Sequence, residues 1–151
     1  MSRSPVQSSH ILVHTIFSTK GQSPLITPEI EPLLYDRISK ILFDRCYSPA
    51  LAIGGEKEHI HILFALARNW SPDAIINMVR DKSAEFIRKW SPNFGWQETY
   101  AAFTESRSED EIIIDYIHRQ KEIHKSLYYK DEFRQLLERN GIEYDENDLW
   151  D

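Results

Sequence analysis

A chain of 151 residues with 41% hydrophobic and 28% charged side chains has the composition of one globular domain, spanning residues 1–151, with one core rather than two domains or a disordered tail. No apolar run approaches the ~18–20 residues that span a bilayer, and Met1-Ser2-Arg3-Ser4-Pro5 lacks the apolar stretch of a signal peptide, so a soluble cytoplasmic protein with no membrane partner is expected. The net charge of −6 argues against a protein that simply coats nucleic acid, but residues 1–90 hold 11 basic and 9 acidic side chains and residues 91–151 hold 7 and 15, so the acidity belongs to the C-terminal part.

In chain order, His10 to Ser18 is apolar and β-branched, bounded by Ser8-Ser9 and by Lys20-Gly21-Gln22-Ser23-Pro24, and reads as a strand. From Thr27-Pro28, the positions Ile30, Leu33, Leu34, Ile38, Ile41 and Leu42 recur at helical spacing. Cys46, the lone cysteine, has no partner for an intramolecular disulfide and reads as a small buried apolar side chain. Ala50 to Ile53 and Glu58 to Ala67 read as two strands of a hairpin, with Gly54-Gly55 as the connection. Ser71-Pro72-Asp73 opens a second helix that carries Ile75, Ile76, Val79, Phe86 and Ile87 to about Trp90, where Ser91-Pro92-Asn93 stops it.

Trp96 to Thr104 is short and aromatic-rich, a fourth strand. Ser108 with Glu111 has capping-box spacing and starts a third helix through Ile112, Ile113, Tyr116, Ile117 and Gln120. Asp131 to Asn140, ended by Gly141, is a last amphipathic helix. The order β-α-β-β-α-β followed by helices is an α+β, ferredoxin-like pattern: an antiparallel sheet with two helices on one face, then two C-terminal helices. Such a fold hosts many functions and decides none.

The sharpest local signal is Glu58-His59-Ile60-His61-Ile62-Leu63-Phe64. Alternation puts His59 and His61 on one strand face, ~6–7 Å apart in Cα, with Ile60 and Ile62 on the other. Two such imidazoles suit one cation, although two polar residues on the solvent face of an amphipathic strand need no metal, and the motif alone favours that second reading. The apolar run that continues through Leu66 marks this strand as central in the sheet. On the third helix, Tyr116 and Gln120 stand four residues apart and share a face. A tyrosine among isoleucines is also a common half-buried core residue, and Gln120 could be plain helix surface. His118 and His124 are six residues apart and do not align on a helix, so no second metal site is expected there. His10 and His14 share a strand face, for which edge-of-sheet packing or phosphate contact is the preferred reading.

Together these features resemble one family, the HUH single-tyrosine transposases of small insertion sequences (the insertion-sequence 200/605 type) and their REP-associated relatives. The landmarks run in order: Phe17-Ser18-Thr19-Lys20, His59-Ile60-His61, Lys82-Ser83, Trp96-Gln97 through Tyr100 to Phe103-Thr104, Tyr116-Ile117 with Gln120, and His124. The ending is similar too, in Phe133 to Leu137, Gly141 to Asp145 and Leu149-Trp150-Asp151. Glu58 stands where an aspartate is common, and the acidic C-terminal part departs from what favours DNA affinity.

The resemblance implies a DNA transposase that cleaves and transfers single strands through a 5′-phosphotyrosine. Tyr116 would be the nucleophile, and His59, His61 and Gln120 the ligands of Mg²⁺ or Mn²⁺. The implied partner is a single-stranded DNA hairpin at the end of a mobile element, with Lys20, Arg80, Lys82, Arg88 and Lys89 as candidate backbone contacts because they are basic and cluster around the second helix and the first loop. Trp70, Trp90 and Trp96 are available either to stack on bases or to seal the core. A homodimer by sheet extension is also implied, covering an edge of the first strand at Leu12, Val13, Ile16 and Phe17, and in several members the tyrosine helix serves the partner's histidines. Two other readings compete: a domesticated protein that binds a DNA or RNA hairpin without cutting it, and a small-molecule-binding or regulatory ferredoxin-like domain.

Overall fold

Strand register explains why the two histidines face away from the first two helices. The computed structural model describes residues 10–150; Met1 to Pro5, Ser8-Ser9 and the final Asp151 of the sequence reading lie outside the described residues. Strands β1 (Leu12–Thr19), β2 (Ala50–Glu56), β3 (His59–Ala65) and β4 (Trp96–Glu105) form one antiparallel sheet in the order β2-β3-β1-β4. The β1–β3 ladder opposes Ile16 to His61 and Ser18 to His59. Because side chains alternate, Ile60, Ile62 and Phe64 leave the sheet on one side, and His59, His61 and Leu63 on the other.

Helices α1 (Ile30–Lys40) and α2 (Pro72–Ile87) cover the first side. Ser71 caps α2 by accepting from the Ala74 amide, with Pro72 at the first helical position, as its sequence foretells. Leu34 and Ile38 of α1 and Ile75, Ile76 and Val79 of α2 pack with Val13, Phe17, Ile60, Ile62 and Phe64 into the main core. Cys46 joins this core fully buried, after a π-helical turn over Ile41–Arg45. Trp96 also serves the core: its ring meets Phe17 and Phe94 edge-on, and its Nε1 donates to Ser83 Oγ. The fold is the ferredoxin-like α+β arrangement expected from the element order.

The second side is covered by α3 (Asp110–His118), α4 (Gln120–Ile123) and α5 (Tyr129–Arg139). Tyr129, Phe133, Leu136 and Leu137 of α5 pack on Ile16, Ala101, Phe103 and Leu149. Gly141, at φ 68°, ends α5 in the left-handed conformation, and the Ile142 amide returns to the Leu137 carbonyl. No helix among the described residues is long and apolar enough to cross a membrane.

Four details differ from the sequence reading. Gly54 and Gly55 lie inside β2, and the hairpin turns at Lys57-Glu58. The glycines serve close packing: a Cβ on Gly54 would overlap the Ile117 carbonyl of α3, and one on Gly55 would overlap the His59 carbonyl. Strand β1 is paired on both sides, so it offers no edge; a dimer by sheet extension would have to use β2 or β4. His14 accordingly is no edge residue but is 1% exposed. The third helix is capped not by Ser108 but through a 3-10 turn at Arg107–Glu109, where Ser106 accepts from the Ser108 amide, and it breaks at Arg119, placing Gln120 on α4.

Candidate active site

His59 and His61 point into the buried seam between the sheet and α3 to α5, and both are fully buried. Tyr116 reaches the same seam from α3, held by Ile117, whose side chain packs on Leu12, Ala52 and Leu63. The Tyr116 and His61 rings meet edge-on with centroids 5.5 Å apart. Gln120 is buried, and its Oε1 lies 2.8 Å from His59 Nε2. The structure thus brings His59, His61, Tyr116 and Gln120 to one place within a single chain.

At their centre lies Glu132, a residue of α5 for which the sequence reading has no role. Its Oε1 is 2.9 Å from His124 Nε2, 3.2 Å from His61 Nε2 and 3.3 Å from His59 Nε2. Its Oε2 accepts from Gln120 Nε2 at 3.0 Å and from the Tyr116 hydroxyl. His124 also lies 2.9 Å from Gln120 Oε1. His59, His124 and Glu132 each offer one ligand atom within 4.8 Å of one another and could together hold a metal ion. His124 stands among the landmarks of the family resemblance and four residues from Gln120, whereas Glu132 carries no local motif at all.

Each histidine of the β3 pair has a partner on its far nitrogen. His59 Nδ1 lies 2.6 Å from Glu58 Oε1, and His61 Nδ1 lies 2.8 Å from His14 Nε2 on the neighbouring strand. The His14 Nδ1 faces Glu105 Oε1 at 3.6 Å, and its ring stacks on that of His61. Such partners fix which ring nitrogen faces inward and stiffen the ring, as they do around histidine ligands generally.

Electrostatics follow from burial in a tight cluster. Burial alone would raise the Glu132 carboxyl, but the surrounding imidazoles, His61 foremost, hold it well below the usual range. Burial alone would depress His59, but hydrogen bonds to Glu132 and Glu58 raise it to about 9. Burial pushes His61 down to about 3, against the pull of Glu132 and with the charges of His14 and His59 adding to the fall. Burial and then the Glu132 charge push the Tyr116 hydroxyl above its ordinary value. An unaided phenol so placed is a poor nucleophile at neutral pH.

A cleft of about 190 Å³ between α3 and α5, lined by His14, Ile113, Tyr116, Leu136 and Arg139 among others, connects Tyr116 to the surface. The sequence-predicted DNA contacts lie elsewhere. Arg80 is engaged by the Gln97 and Glu98 carbonyls and Asn77 Oδ1, and Arg88 by the Phe94 carbonyl. Lys82 and Lys89 line a groove with Arg37, Lys40 and Arg45 between α1 and the second helix, on the side of the sheet away from Tyr116. Lys20 begins a short turn after β1. His10 and His118 are exposed and stand outside the cluster.

A family model described as "Transposase IS200 like" matches residues 7–120, three quarters of the chain. No curated protein matches. Among solved structures, a candidate transposase from Deinococcus radiodurans R1 is similar at 18% identity and a TM-score of 0.63, over 80% of this chain and 98% of that one. A REP-associated tyrosine transposase bound to a REP hairpin is similar at 15% identity and a TM-score of 0.61, over 84% of this chain and 76% of that one. At these identities the two structures establish a shared fold, and the family match carries the kinship.

Proposed function

Because the chain belongs to the IS200-like transposase family, we propose that it cleaves and rejoins single-stranded DNA through Tyr116, at hairpin-bearing ends of a mobile element. The observation that carries this reading is the convergence of the Tyr116 hydroxyl, both β3 histidines and Gln120 on one buried point. A structural tyrosine would need only one hydrogen-bond partner; here that partner, Glu132, is itself ringed by His59, His61 and His124.

In this mechanism His59, His61 and Gln120 would hold a divalent cation, Mg²⁺ or Mn²⁺; imidazole and amide donors suit it, and Mn²⁺ tolerates nitrogen ligands better than Mg²⁺. When bound, the cation would polarise the scissile phosphate and stabilise charge on the leaving oxygen. Tyr116 supplies the attacking oxygen. A bond forms between its Oη and phosphorus, the bond from phosphorus to the 3′ oxygen breaks, and the phenolic proton is balanced by the proton that the 3′-hydroxyl gains. The products are a 5′-phosphotyrosine and a free 3′-hydroxyl. Attack by a 3′-hydroxyl on the phosphotyrosine reverses these bond changes and rejoins DNA without an external energy source.

The chain's own residues prepare this step. Glu58 and His14 orient the two β3 imidazoles, Ile117 anchors the helix that carries the tyrosine, and the cleft beside α3 gives access. A hairpin substrate is supported by the similar REP-associated transposase, which is bound to a REP hairpin. The chain should act on labelled single-stranded hairpins from the flanks of its gene. Incubation with Mn²⁺ and denaturing electrophoresis should reveal a covalent protein–DNA adduct, abolished by EDTA and by Tyr116→Phe. Hairpin binding with no adduct across all flanking hairpins would instead identify a binding protein that no longer cuts.

A further inference from the structure

Glu132 is the one buried carboxylate among the described residues, at 1% exposure. A buried charge is costly unless its environment gives it partners that repay the lost water, so its surroundings disclose what it is for. Here those partners are three imidazoles, an amide and a tyrosine hydroxyl, each presenting an atom of functional chemistry. None of them is a lysine or arginine, the usual companions of a carboxylate kept for stability.

The inward atoms are also spaced in a particular way. His59 Nε2 and Gln120 Oε1 are 2.8 Å apart, His124 Nε2 and Gln120 Oε1 2.9 Å, His124 Nε2 and Glu132 Oε1 2.9 Å, His61 Nε2 and Glu132 Oε1 3.2 Å, and His59 Nε2 and Glu132 Oε1 3.3 Å. Neighbouring ligands around a divalent cation with bonds of ~2.1 Å are separated by about 3 Å, the edge of an octahedron. Five donor atoms from three elements, β3, α4 with its C-terminal residue His124, and α5, therefore already stand at ligand-to-ligand spacing.

We propose that Glu132 and His124 belong to the cation site, and that Glu132 joins cation to nucleophile by binding the cation through Oε1 while its Oε2 holds the Tyr116 hydroxyl. This deepens the reading of the site as a cation-assisted tyrosine nuclease and rests on it. Its consequence is structural: α5 is a wall of the active site rather than a C-terminal appendage, and its docking, cation binding and tyrosine placement form one coupled event. A ligand that binds only the docked arrangement stabilises that arrangement by mass action. The cation class is one that accepts both imidazole and carboxylate, with Mn²⁺ the natural probe.

The test uses the full chain without DNA, so that it is independent of cleavage. Mn²⁺ binding is followed by electron paramagnetic resonance of the free ion, with Glu132→Gln, His124→Ala and, as a control, Glu138→Gln on the exposed face of α5. Glu132→Gln and His124→Ala should each weaken Mn²⁺ binding at least tenfold, a loss of the size seen when the shell around a metal is disturbed, and Glu138→Gln should not. Unchanged affinity in both site variants, with circular dichroism showing them folded, would overturn the proposal. Should either variant fail to fold, hydrogen exchange of the wild-type chain decides: Mn²⁺ should slow amide exchange in residues 129–137, and no slowing there counts against the coupling. Absence of a DNA adduct with these Mn²⁺ effects intact would refute the nuclease reading alone.

Discussion

The two faces of the sheet come from the same strands, one residue out of step, and have opposite chemistry. Towards α1 and α2 the strands present Val13, Phe17, Ile60, Ile62 and Phe64, which ask of their neighbours only complementary volume. Towards α3, α4 and α5 they present His14, His59 and His61, each of which needs a partner on both ring nitrogens. The first face can trade one hydrophobe for another of similar size; the second cannot change one member without stranding its partners. The larger apolar core thus fills one side of the layer, while on the other side smaller apolar clusters around Phe103 with Phe133 and around Leu63 with Ile117 flank and brace the polar cluster.

Phe64→Ala tests the first half of that contrast and has the largest expected effect on stability. Its ring is 1% exposed in the main core, so truncation should cost about 3–5 kcal/mol. Denaturant unfolding would measure this, and Mn²⁺ affinity measured well below the transition should stay as in the wild type. A parallel loss of affinity would mean that the two faces are not separable. Gly54→Ala tests the joint between them. The new methyl would meet the Ile117 backbone, which cannot move without displacing α3 and Tyr116. The expected cost is smaller, about 1–3 kcal/mol for overpacking, but adduct formation at a temperature where the variant is folded should fall out of proportion to that loss.

The contrast also marks what the sequence makes legible. Periodicity reveals the apolar face, because Ile60, Ile62 and Phe64 alternate along β3 and Ile75, Ile76 and Val79 recur along α2, and a repeated local pattern is what a buried apolar surface leaves behind. The His59-x-His61 pair and the Tyr116/Gln120 step are legible for a related reason, the first lying within one strand and the second spanning only four residues of chain, across the break between α3 and α4. His14 and Glu132 are not, since each reaches the cluster from another element across 47 and 71 residues of chain, paired with His61. A lone histidine on an apolar strand and a lone glutamate on a helix with many acids carry no spacing to read. Gly54 misleads for a related reason: a paired glycine is the commonest sign of a turn, and only the approach of Ile117 shows that it serves packing.

The smallest expected stability effect comes from the second face itself and lies in its pH dependence. His59 is raised from 6.5 to about 9, burial opposing and the Glu132 and Glu58 carboxylates prevailing. A histidine raised on folding adds stability that is fully present below its unfolded value and is lost as pH climbs through its folded one. The margin of the wild type over His59→Gln should therefore shrink steadily between pH 6.5 and about 9, as read from denaturant midpoints in metal-free buffer. Glu132 gives the opposite limb: its carboxyl is held low, so its contribution is present above the ordinary carboxylate range and goes only in strong acid. Because the lost hydration of three buried rings and a carboxylate works against their mutual attraction, the net margin should be less than the loss in Phe64→Ala. A margin that grew with pH would mean that His59 is held neutral in the folded chain and would overturn this reading of the second face.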